Sequence, residues 1–184
     1  MRGSKKPEPI IDRRIVADSG PLCVLLCAYN EQGAFDAERA RQVCSRESDR
    51  SFYKYQGEDL LKILAKNRIV VTPHILTEIS NNVRKEKFRL STLLQEGNPV
   101  AKLLRTRCSE VQVGFAELMH EDKVKHIDLG FTDCALMIVA HPNTDERRAE
   151  YLLTDDAELQ TTARSIGIRA MTARQLVQQS EARP

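Results

Sequence analysis

Very little net charge separates this 184-residue chain from neutrality: 28 lysines and arginines against 26 aspartates and glutamates leave a formal +2. Such a chain cannot gather a polyanion through its overall field, so any nucleic-acid affinity has to come from local clustering. The five cysteines are an odd number without a secretory signal, which argues against a disulfide framework and for free thiols in a reducing cytoplasm. Cys23 and Cys27 are spaced to share a helix face, but a zinc site would need two more ligands at suitable spacing and no such pair exists. Buried, apolar thiols are the expectation. Met1 to Pro9 carries Arg2, Lys5, Lys6 and two prolines without an apolar stretch, so neither a signal peptide nor a membrane anchor is expected there. Met1 to Ser4 carries no functional signal.

What is present is an ordinary globular composition, 41% hydrophobic and 29% charged, long enough for one domain with a sizeable core. We expect a flexible segment over 1–13, a single domain over 14–180 and a short tail over 181–184. Ile15, Val16 and Ala17 form an apolar run too short for a helix and suited to a strand buried on both faces. Asp18 ends it, and Leu22, Val24, Leu25 and Leu26 resume with Pro21 in the first turn of a helix. Glu31 to Lys54 is polar and of uncertain structure. Leu60, Leu61, Ile63 and Leu64 give a helical stripe ending near Asn67, and Ile69 to Val71 a second strand. Thr72-Pro73 is a helix start, with a hydroxyl at the N-cap and proline at N1.

Gly97-Asn98-Pro99 should break the span from Arg84 to Arg107 into two helices. Val111 and Val113 suggest a short strand, followed by a helix through Leu118 and Met119. Ile127-Asp128-Leu129-Gly130-Phe131 leads to a buried helix over Cys134 to Ala140, ended by Pro142 and Asn143. Tyr151 to Leu153 is another strand, a helix follows through Ile166 with Gly167 as its cap, and Ile168 to Met171 precedes a terminal helix reaching about Ser180. Strands alternating with helices predict an α/β fold, a three-layer α/β/α sandwich around a central, mostly parallel sheet.

The acids fall where such a sheet binds ligands, at the carboxyl ends of its strands. Asp18 follows the first strand, Glu78 lies in the helix after the second, Asp133 opens a buried helix and Asp155-Asp156 follows a later strand. An aspartate at a helix start is by itself an ordinary cap. Glu78 sits a turn and a half into its helix, too deep for a cap. Converging carboxylates repel one another, so they either take up protons or hold a cation. Magnesium or manganese suits oxygen donors of this kind, and such ions activate water and neutralise charge on a phosphodiester.

The motifs Ile15-Val16-Ala17-Asp18-Ser19, Thr72-Pro73-His74-Ile75-Leu76-Thr77-Glu78, Leu129-Gly130-Phe131-Thr132-Asp133-Cys134-Ala135 and Leu152-Leu153-Thr154-Asp155-Asp156 resemble, in order and spacing, those of the PIN domain family of metal-dependent ribonucleases. The resemblance spans roughly Ile15 to Thr172. It implies a Mg2+- or Mn2+-dependent endoribonuclease acting on single-stranded RNA, with Asp18, Glu78, Asp133 and Asp156 as catalytic and metal-binding acids and Asp155 as the alternative fourth acid. Ser19 and Thr154 would hydrogen-bond the acids or a metal-bound water, or simply cap helices. Gly20-Pro21 stands where the family often has asparagine. The chain is also longer than the VapC-type toxin nucleases, mainly in Glu31 to Lys54 and Arg84 to Arg107.

Between Arg84 and Arg107, seven cations against two acids leave +5, and Arg84, Lys85, Lys87, Arg105 and Arg107 are the expected RNA contacts. His74 adds little, as a surface histidine. An antitoxin protein is a possible partner if the chain is a toxin. A homodimer could use the apolar faces of the Leu60 and Leu90 helices; a membrane partner is not expected, and the location is cytoplasmic. Two other readings are a PIN-like module that binds RNA or protein without cutting, and a DNA flap nuclease of related fold, for which no helical arch or DNA-binding hairpin motif is visible.

Overall fold

A computed structural model describes residues 12–30, 32–120, 129–141 and 151–181, with no account of the side chains of Phe115, Met119 and His120. The expected features at 1–11, Ile127, Asp128, Pro142, Asn143 and 182–184 lie outside the described residues.

Five strands, β1 (Arg14–Ala17), β2 (Arg68–Val71), β3 (Cys108–Glu110), β4 (Tyr151–Leu153) and β5 (Ala170–Met171), form one sheet in the order β3-β2-β1-β4-β5, every pair parallel. A parallel sheet is stable only with both faces covered, and its inner strands then read as unbroken apolar runs. Ile15, Val16 and Ala17 are fully buried, as are Ile69, Val70 and Leu152. The helices are α1 (Ser19–Ala28), α2 (Ala37–Val43), α3 (Glu47–Ala65), α4 (Pro73–Lys85), α5 (Leu90–Leu93), α6 (Pro99–Arg107), α7 (Phe115–His120), α8 (Phe131–Ala140), α9 (Ala157–Ser165) and α10 (Ala173–Glu181). Together they make the expected three-layer α/β/α fold. No helix among the described residues is long and apolar enough to cross a membrane.

Strand order fixes where a crevice opens. The chain steps outward from β1 through β2 to β3, then returns to the other side of β1 for β4 and β5. Right-handed crossovers place the helices of the two halves on opposite faces, so they diverge at the carboxyl ends of β1 and β4. Asp18 and Thr154 stand at that point.

Several local expectations shift. The polar segment Glu31 to Lys54 holds α2 and the first part of α3. The third strand lies at Cys108–Glu110, ahead of the alternation at Val111 and Val113, although the Val111 amide still donates to Val71 at 2.9 Å. Thr72 occupies the N-cap of α4 but makes no capping bond through its hydroxyl, which is buried and without a partner among the described residues. The basic span comprises the end of α4, the single turn of α5 and all of α6. Gly167, at φ +86, supplies the left-handed residue that ends α9. Leu60 and Leu64 are fully buried, so the apolar face of α3 is used within the monomer.

Asn98 secures α6 against α1. Its side-chain oxygen accepts from Val100 and Ala101 at 3.0 and 3.3 Å while its amide donates to the Leu26 carbonyl at 3.0 Å, all within a 1%-exposed position. Asn98→Ala removes a cap and strands a buried carbonyl, an expected loss of about 2–3 kcal/mol. Urea unfolding should show it as a lower midpoint at an unchanged slope.

Candidate functional site

Asp18 leaves β1 in an extended conformation and caps α1. A cap usually takes the amide two or three residues on, but here the third residue is Pro21, which has no N–H. The Asp18 Oδ1 accepts the Ser19 amide instead, at 2.5 Å. Its Oδ2 accepts the hydroxyl of Thr154 at 2.7 Å, across from the end of β4. The same Thr154 oxygen accepts the Asp156 amide at 3.0 Å. From α4, Glu78 accepts the Ser19 hydroxyl at 2.8 Å, a bond between residues 59 positions apart. Three of the four motifs are therefore tied by two hydroxyls, those of Ser19 and Thr154. Both residues are more than nine-tenths buried.

Asp133 completes the set from α8. Gly130 is the N-cap there, and no side chain makes a capping bond, so Asp133 is not a cap. Burial, followed by the charges of Asp18, Glu78, Asp156 and Glu158, pushes its carboxyl up to about 6. Asp18 is also raised, chiefly by burial; the Thr154 and Ser19 bonds pull it back and Glu78 pushes it further up. Glu158, in the first turn of α9, was not among the expected residues. Its only signal in the sequence is its place two residues after Asp156.

The adjacent acids at the end of β4 separate cleanly. Asp155 accepts the Tyr53 phenol at 2.5 Å and the Ala173 amide at 2.9 Å, so both its oxygens hold α10 and α3 together. Burial raises its carboxyl against those two bonds. Asp156 caps α9 through Oδ1, accepting from Glu158 at 2.7 Å and Leu159 at 3.0 Å, and its Oδ2 pairs with Arg46 at 3.0 Å. Asp156, and not Asp155, is among the charges that raise Asp133, while Asp155 ties α3 to α10.

Beside Asp18 opens a cleft of about 290 Å³ between α1, the α2–α3 connection and the end of α4. Its walls carry Asp18, Asp49, Glu86, Asp155 and Asp156 against two cations, Arg46 and Lys85. Lys85 is the one expected RNA contact that lines it. Arg84 and Lys87 are exposed at the end of α4 and in the turn that follows, where Lys87 has φ 63. Arg105 and Arg107 stand elsewhere. Arg107 immediately precedes the first residue of parallel β3, at the amino edge of the sheet, and Arg105 is pinned to the Leu94 carbonyl at 2.9 Å. Those two do not join the acid rim. His74 is exposed on α4. All five cysteines are free, and Cys23 and Cys44 line the cleft.

The donors are carboxylate and hydroxyl oxygens, the chemistry that a hard divalent cation takes. Among the described residues, no three histidine, cysteine, aspartate or glutamate side chains stand close enough to hold a metal ion in their present positions. The hydrogen-bonded Ser19 hydroxyl separates Asp18 from Glu78, and Arg46 occupies the outer oxygen of Asp156. The donor set fits such an ion in kind; the side chains would have to turn toward one another to enclose it. No protein-family model, curated protein or solved structure matches the chain.

A folded pKa above the unfolded one contributes stability below pH about 4 that is lost as pH rises through about 6. In chelator, Asp133→Asn should therefore abolish part of the fall in melting temperature between these values. The difference should be of order 1 kcal/mol, after solvent screening at this partly buried position. Melting curves of the two proteins that fall in parallel across this range would refute it.

Proposed function

We propose that this chain is a metal-dependent nuclease that hydrolyses phosphodiester bonds of single-stranded RNA, the activity implied by its resemblance to PIN domain ribonucleases. The observation that supports this best is the bonded path Asp156–Thr154–Asp18–Ser19–Glu78, which brings three separated motifs together at the switch point of the sheet. Four independent helix caps would need no such convergence. Asp133 adds a fourth charge from a position that caps nothing.

A hard divalent cation, magnesium or manganese, held by Asp18, Glu78 and Asp133 would supply charge neutralisation at the scissile phosphate and an activated water. The protein's part is orientation. Burial raises the Asp18 carboxyl, and the bonds from Thr154 and the Ser19 amide oppose that shift while fixing its orientation. Ser19 fixes the direction of Glu78, and without a cation the Asp133 carboxyl is pushed toward its protonated form by burial first and by the neighbouring acids second. The second reading, a module that binds RNA or protein without cutting, is favoured by two observations: the Arg46–Asp156 pair and the spread positions of the acids among the described residues.

The test is cleavage of an end-labelled single-stranded RNA with and without MnCl2, together with melting curves. Wild type is expected to cut only with the metal, and Asp133→Asn to lose cutting by several orders of magnitude while staying as stable in chelator. Manganese at about a hundred times its dissociation constant should stabilise wild type by roughly 2.7 kcal/mol. RNA that is bound and left intact, with melting unmoved by manganese, would establish the non-cutting module instead.

A further inference from the structure

An acid-walled cleft repels the substrate proposed for it. Five carboxylates line the space beside Asp18, and a phosphodiester entering there meets two cations, Lys85 on the α4 side and Arg46 on the α3 side. Arg46 holds an unusual position. It is the N-cap of α3, with φ −94 and ψ 121, and makes no capping bond, since a guanidinium offers donors to a helix end that needs an acceptor. Serine, threonine, aspartate or asparagine would serve the helix better. The side chain is spent across the cleft, where its Nη2 lies 3.0 Å from Asp156 Oδ2.

That pair is poorly matched in mobility. Asp156 is fixed by the two α9 amides that its other oxygen accepts. Arg46 ends a long side chain that is 40% exposed, and an exposed pair of this kind is weak and readily exchanged. The planar guanidinium fits a phosphate through two parallel N–H bonds.

We propose that Arg46 is the residue that takes up the backbone phosphate of a single-stranded nucleic acid in this cleft, exchanging Asp156 for it; the inference rests on the nuclease reading of the same site. It is a binding and positioning residue. The exchange delivers a phosphate next to Asp18 and frees the outer oxygen of Asp156 in the same movement. Resting, Arg46 occupies the outer oxygen of Asp156; loaded, that oxygen is open to the cluster.

The test uses a fluorescein-labelled oligouridylate, with binding followed by anisotropy in EDTA over a range of KCl and cleavage followed in MnCl2. The proteins are wild type, Arg46→Ser, Arg46→Lys and, as a control at the amino edge of the sheet, Arg107→Ser. Serine is a better N-cap than arginine, so Arg46→Ser should melt no lower than wild type and its losses cannot be assigned to misfolding. We expect Arg46→Ser to raise Kd and KM about tenfold with kcat little changed. Its salt slope should fall by about 0.7, the value of one phosphate contact on a single strand. Arg46→Lys should recover the slope and only part of the affinity, and Arg107→Ser should match wild type. Unchanged Kd, KM and slope in Arg46→Ser, a loss confined to kcat, or an equal loss in Arg107→Ser would overturn the proposal while leaving the nuclease reading intact. A wild-type protein that neither binds nor cuts the oligonucleotide would remove both.

Discussion

The bond from the Thr154 hydroxyl to Asp18 joins the ends of β1 and β4, and the rest of the site depends on it. These two strands are neighbours, yet 136 positions separate the bonded residues in the chain. The crossovers leaving them run to opposite faces, so the sheet edge is uncovered at this place and the polar groups there must satisfy one another. Thr154 does so in both directions, donating to Asp18 and accepting from the Asp156 amide. Fully buried, it holds its rotamer by packing as well as by bonding.

From that fixed point the electrostatics follow. Asp18 is buried and would favour a proton, but three hydrogen bonds, one from Thr154 and two from Ser19, oppose the cost of its charge. Glu78 is held near it by the Ser19 hydroxyl, which brings a second charge close without letting the carboxylates touch. Among the described residues no hydrogen bond offsets the burial of Asp133, and its carboxyl is pushed up to about 6. Arg46 is the counterweight on the far side, paired with Asp156, one of the five acids that line the cleft. A set arranged in this way gains stability from anything positive that enters it.

The fold was legible because fully buried parallel strands leave unbroken apolar runs, as at Ile15–Ala17, Ile69–Val71 and Tyr151–Leu153. β3 lies away from the alternation at Val111 and Val113 because an edge strand paired on one side needs no apolar run: Cys108, Ser109 and Glu110 are at most half-buried. Asp18, Glu78 and Asp133 could be picked out by their order after successive elements. Asp155 and Asp156 could not be separated, since what distinguishes them is Tyr53, 102 residues away, and the first amide of α10. Charge counted along a segment has no direction, which is why Arg105 and Arg107 group with Lys85 in the sequence although α6 carries them to the opposite edge of the sheet. Arg46 sits in a stretch without periodicity, at a cap position that arginine does not signal.

Whether carboxylates from separate motifs form one coupled centre is read most directly by a carboxyl 13C titration of Asp133 by NMR in metal-free protein. In wild type its midpoint should lie near 6, and Glu78→Gln, which removes one neighbouring charge and leaves burial unchanged, should lower it. A midpoint at the ordinary aspartate value of 3.8 in both proteins would mean that the acids stand apart and form no coupled centre.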